Sequence, residues 1–109
     1  VVKKINIGVI GCGYWGPNHI RIFSYLQQSN VTMACDIDNH KLNRIRGIFP
    51  HITLTTNYLD IINNSDIDAV IISTPTITHY EIAKKCLESG KHVLCEKPLS
   101  VLYAEEFPA

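Results

Sequence analysis

The sequence predicts a doubly wound α/β domain on a parallel sheet, and three observations carry that reading. Short apolar runs alternate with helical patterns along the chain. The runs are apolar on both faces rather than at every second position, so each strand needs cover from both sides, which intervening helices supply. Three glycines, Gly11, Gly13 and Gly16, crowd the junction between the first run and the first helical pattern.

The elements follow in order. Ile5 to Ile10 (INIGVI) is bounded by glycine and reads as a buried strand. A helix is expected from about Trp15 to Gln28; Pro17 fits its first turn, where amides have no helical acceptor to lose. VTMACD, Val31 to Asp36, is the second strand. Asp38 or Asn39 can cap a helix that should end near Gly47, a suitable left-handed stop. ITLTT, Ile52 to Thr56, is a weak third strand, after which Asn57 opens a short helix containing Leu59, Ile61 and Ile62. DAVIIS, Asp68 to Ser73, is the fourth strand. Past Thr74 and Pro75, Thr78 and Glu81 have capping-box spacing. The helix they open places Ile82, Ala83, Cys86 and Leu87 on one face and ends at Gly90. HVLCE, His92 to Glu96, is the fifth strand.

A chain of 109 residues makes one domain with one core. With 46% hydrophobic and 18% charged residues it is globular rather than disordered. Its 10 basic and 10 acidic side chains cancel and are scattered, which argues against nucleic acid or an anionic membrane as partner. No apolar stretch has the length of a membrane span, and the first apolar run stops at Gly11 without a cleavage-site pattern. Cys12, Cys35, Cys86 and Cys95 show no C-x-x-C spacing and read as buried free thiols in a reducing cytoplasm. His19, His40, His51 and His92 have no companions at ligand spacing, so no metal site is expected.

A glycine triplet alone is weak evidence; here it follows a strand and opens a helix. In that setting Gly11 permits a tight turn, Gly13 lets a pyrophosphate approach the main chain, and Gly16 lets the helix pack close to the strand. Amides at the helix start, those of Tyr14 and Trp15, then face the phosphate along the favourable end of the helix dipole. Asp36 stands at the end of the second strand, 20 residues after Gly16. A carboxylate there can accept hydrogen bonds from both ribose hydroxyls of an adenosine and repels a 2′-phosphate, to which Asp38 adds. NAD is therefore expected over NADP. Lys41 and Arg44 lie further along and are read as the solvated face of a helix.

GCGYWGPNHIRIF, Asp36 and STPTITHYEIAKKCLESGKHVLCEKPLS, in that order, resemble the N-terminal half of the Gfo/Idh/MocA (glucose–fructose oxidoreductase and inositol dehydrogenase) family, from Ile5 to Ser100. GKHVLCEKPL is the most specific piece. The resemblance implies a dinucleotide-binding Rossmann domain over residues 1–109 of an NAD-dependent dehydrogenase that moves hydride between nicotinamide and a sugar, cyclitol or related hydroxyl. It implies that Glu96-Lys97-Pro98 is the family's EKP motif, with Lys97 catalytic beside the nicotinamide and Glu96 at the cofactor or orienting Lys97. An ammonium there can hold the substrate hydroxyl and stabilise a developing alkoxide. Thr74 and Pro75 match the loop that runs along the pyrophosphate and nicotinamide ribose. Thr76 stands where many members carry asparagine, and His79 matches a histidine that either lines the site or is structural. Trp15 either covers the cofactor or packs the helix.

The family adds a sixth strand and then a C-terminal α/β substrate domain, which supplies the second acid–base residue, the substrate pocket and the homo-oligomer interface. This sequence ends at VLYAEEFPA, so the expectation is a sheet truncated before the sixth strand and a piece inactive alone. Two other readings stay open: a non-catalytic nucleotide-sensing or interaction module on the same fold, and an S-adenosylmethionine-binding methyltransferase. An intact Lys97 disfavours the first. Trp15 at the last glycine's place of a G-x-G-x-G loop disfavours the second.

Overall fold

The computed structural model describes residues 4–13, 16–74 and 76–95. Along them run β1 (Ile5–Ile10), α1 (Gly16–Tyr25), β2 (Ser29–Cys35), α2 (Asn39–Ile48), β3 (Thr53–Thr55), α3 (Leu59–Ile62), β4 (Ala69–Ile72), α4 (Thr76–Glu88) and β5 (His92–Cys95). All strand pairs are parallel, in the order β3-β2-β1-β4-β5. The chain winds outward from β1 to β3, then crosses back to lay β4 on the other side of β1. In such sheets ligands bind outside the carboxyl ends of the strands where the order reverses, here β1 and β4.

The two-faced apolar strands explain the layers. Ile7 and Val9 of β1, Val31 and Ala34 of β2 and Ile71 of β4 pack with Ile20 of α1 and Leu42 and Ile45 of α2. The alternate residues Ile10, Met33, Cys35, Val70 and Ile72 face Ile61 and Ile62 of α3 and Ile82, Ala83 and Cys86 of α4. Each fully buried isoleucine contributes roughly 1.5–3 kcal/mol through burial. The doubly wound parallel sheet is as the sequence predicts.

Several element ends differ from expectation, each for a local reason. The first helix stops at Tyr25, short of Gln28, because the Gln28 carbonyl accepts the Ile5 amide at 2.9 Å and belongs to the sheet. Asp38 caps α2, its carboxylate accepting the His40 amide at 2.9 Å. Gly47, however, does not end that helix: it lies inside it, and Phe49 ends it, since Pro50 disfavours helical geometry at the residue before it. Helix α4 begins at Thr76, so Thr78 is a first-turn residue and not a cap; its hydroxyl reaches back four residues and donates to Thr74 Oγ1 at 2.7 Å. Leu87 is 61% exposed, lying about 140° round the helix from Ile82 and beyond the buried arc. At the other end of α4, Gly90 adopts φ 81°, its amide donating to the Leu87 carbonyl and the Lys91 amide to the Cys86 carbonyl, the paired bonds of a left-handed stop. Lys91 is buried just beyond. Its ammonium donates to the Asn64 and Ile67 carbonyls at 2.7 and 2.8 Å, tying the turn before β4 to the start of β5.

Cys12 and Cys35 are free and buried, and Cys86 is buried as well. Burial pushes the Cys12 and Cys35 thiols up from 9.0 to about 12, with the Asp36 carboxylate adding to both. A thiol that ionises higher in the folded chain than in the unfolded one stabilises the fold in its neutral form. That contribution is whole below about pH 9 and is lost progressively as pH climbs from there towards 12. The melting temperature should therefore fall above pH 9, and Cys35→Ala should flatten the fall; parallel wild-type and mutant curves would contradict this.

Candidate cofactor site

At the end of β1 the chain turns sharply. Gly11 adopts φ 100°, which glycine tolerates without strain. A Cβ on Gly11 would stand 2.6 Å from the Ser73 carbonyl carbon and 2.8 Å from the Thr74 nitrogen, so the exit of β4 lies directly against the turn. A Cβ on Gly16 would stand 2.3 Å from the Gly11 carbonyl oxygen, so α1 starts seated on that peptide. The chain itself demands these two glycines. Gly13 differs: among the described residues a Cβ there would meet nothing closer than Lys41 Nζ, at 3.8 Å. No contact among the described residues requires its bare main chain, which leaves the cradle a close-lying ligand needs.

Asp36 follows β2 directly, one strand away from the turn. Its Oδ2 accepts the Cys12 amide at 2.8 Å, and its Oδ1 accepts the Asp38 amide at 2.8 Å. The Gly11 amide in turn donates to the Cys35 carbonyl at 2.8 Å. The acid is thus oriented before any ligand arrives. Each of its oxygens retains acceptor capacity, enough for a pair of sugar hydroxyls. Sequence reasoning placed Asp36 by its distance from the glycines but missed that it also fastens the turn.

The loop after β4 forms the opposite wall. Ser73 Oγ is buried there and has no hydrogen-bond partner among the described residues. The Thr74 carbonyl accepts a hydrogen bond from His79 Nε2, and His79 is 2% exposed. The imidazole therefore lies beneath the Thr74 peptide, holding it from the core side. Tyr14, Trp15, Pro75, Glu96 and Lys97 lie outside the described residues. On α2, Arg44 is exposed as expected, but Lys41 is half-buried and reaches back to the turn. The signal for that was available: a first-turn residue of the helix after β2 starts from the same carboxyl edge as the glycines.

Among the described residues no group of three or more His, Cys, Asp and Glu side chains could hold a metal ion, and no helix is long and apolar enough to cross a membrane.

Known proteins resemble this chain in sequence and fold. The chain is 36% identical over 99 residues to an inositol 2-dehydrogenase of Rhodococcus erythropolis, covering 90% of this chain and 29% of that protein. It is 31% identical over 100 residues to the uncharacterized oxidoreductase YrbE of Bacillus subtilis, covering 92% and 29%. The chain thus spans less than a third of the length of these relatives. Apo scyllo-inositol dehydrogenase from Lactobacillus casei superposes with a TM-score of 0.85 at 28% identity, over 93% of this chain and 30% of that one. The same enzyme with bound cofactor NAD(H) and scyllo-inositol gives 0.82 at 28% identity, over 90% and 29%. A family model described as an oxidoreductase family with an NAD-binding Rossmann fold matches residues 5–107, and the chain belongs to that family, Gfo/Idh/MocA.

Proposed function

We propose that this chain is the cofactor-holding part of an NAD-dependent dehydrogenase whose substrate is a hydroxyl of a cyclitol or sugar. The observation that carries the reading is the Asp36 carboxylate bonded to the Cys12 amide beside a Gly13 that no described residue crowds, at the point where the strand order reverses. In this reading the turn from Gly11 to Gly16 receives the diphosphate, with the Tyr14 and Trp15 amides pointing at it. Asp36 accepts both adenosine ribose hydroxyls and repels a 2′-phosphate. Thr74 and Pro75 border the nicotinamide ribose. NAD, when bound, supplies the hydride acceptor. Lys97 holds the substrate hydroxyl and stabilises the alkoxide that develops as its proton passes to the second acid–base residue and its carbon gives hydride to NAD.

The relatives named as inositol 2-dehydrogenases, and the solved enzyme holding scyllo-inositol, support a cyclitol. The second acid–base residue, the substrate pocket and the oligomer contacts belong, on this reading, to a further domain. The free buried thiols support the cytoplasm as compartment.

Calorimetric titration tests the cofactor assignment. NAD should bind more tightly than NADP, and Asp36→Ala should lose about tenfold in NAD affinity, the worth of charged hydrogen bonds of this kind. Tighter binding of NADP, or an unaffected Asp36→Ala, would overturn it.

A further inference from the structure

Lys41 leaves the solvated face on which its helix position alone would put it. From the first turn of α2 its ammonium extends over Gly13, 3.8 Å from where a Cβ would stand. That is, among the described residues, the one glycine of the turn whose missing side chain has no steric reason. Among the described residues no hydrogen bond or ion pair holds the ammonium elsewhere. Its charge is felt in the turn: it lowers the Cys12 thiol, against the larger upward effect of burial.

We propose that Lys41 is a cofactor-binding residue whose ammonium pairs with the dinucleotide's diphosphate. The proposal rests on the reading of the site given above. A diphosphate brings two negative charges, and the main chain of the turn offers it only N–H dipoles. The Asp36 carboxylate, bonded to the amide of Cys12, sets a like charge next to that position. A cation over Gly13 offsets the repulsion and supplies charge-assisted hydrogen bonds. The flexible four-carbon stem lets the ammonium cover the bare turn without a ligand and shift aside to a phosphate oxygen with one. Arg44, one turn further along α2, is exposed and shows no such approach.

The alternative partner for this ammonium is the 2′-phosphate of NADP, and the ligands below separate the two. The chain, with Lys41→Gln and Lys41→Arg variants, is titrated with NAD, ADP-ribose, adenosine and NADP. Lys41→Gln should weaken NAD and ADP-ribose about fivefold and leave adenosine unchanged. Lys41→Arg should restore most of the loss, and the gap should narrow in about 1 M salt. Equal weakening of adenosine, loss confined to NADP, or unaltered NAD affinity in Lys41→Gln each overturns the role of Lys41 alone. Failure of the wild-type chain to bind NAD overturns it together with the cofactor assignment.

Discussion

Gly13→Ala should fold as well as the wild-type chain and lose NAD binding, whereas Gly11→Ala and Gly16→Ala should lose the fold itself. Among the described residues, an added methyl at Gly13 meets only the end of the Lys41 side chain at 3.8 Å, an ordinary contact with a group that can move. Its backbone is not in the left-handed region. Stability should therefore change by less than about 1 kcal/mol, with a restricted unfolded chain offsetting any crowding. The methyl nevertheless occupies the face a diphosphate would rest on. At Gly11 the same methyl lies 2.7 Å from the Ser73 carbonyl oxygen and the backbone stays at φ 100°. At Gly16 it lies 2.3 Å from the Gly11 oxygen. Neither obstacle is a side chain that can turn away, so each variant should cost about 3 kcal/mol or more, a large part of the stability of a domain this size. Thermal melts paired with NAD titration decide the matter. An alanine at position 13 that binds NAD normally would remove the case for a ligand at that glycine.

His79→Ala should destabilise the chain by about 3 kcal/mol, lowering the melting temperature by roughly 15 °C. Two losses add. The buried ring leaves a cavity in the first turn of α4, and the Thr74 carbonyl loses the Nε2–H that satisfies it. Since the Thr74 nitrogen, in the peptide just before the carbonyl that His79 holds, lies against Gly11, the slackening should reach the glycine turn, and amide exchange at Ser73 and Thr74 should quicken by more than global unfolding explains. His79→Gln, whose side-chain amide can still donate, should recover part of both effects. An unchanged melting temperature in His79→Ala would show that the ring holds nothing.

Elements set by local chemistry were legible in the sequence. Ile5–Ile10 is found with the predicted bounds, because an apolar run between a charged start and a glycine has few alternatives. Gly90 stops α4 as expected for the same reason. Gly47 misled because a glycine only permits a left-handed stop, while Pro50 forbids the helix from continuing through Phe49. Thr78 and Glu81 have the spacing of a cap, but such spacing does not say whether the helix has already begun. Within the candidate site, the places of Gly11, Gly16 and Asp36 could be read from spacing, since each answers to a fixed geometry of strand and turn. The bond from Cys12 to Asp36, the placement of His79 under Thr74 and the reach of Lys41 join residues that only the parallel pairing of β1 with β2 and β4 brings together. No linear pattern encodes those.

The bond between Cys12 and Asp36 has a thermodynamic corollary. On the reading proposed above, a nucleoside at the acid and a phosphate at the turn would meet two ends of one clasp that is already closed. Little ordering would then be left for the joined dinucleotide to impose, so linking the two halves should gain affinity through the saved cost of placing the second.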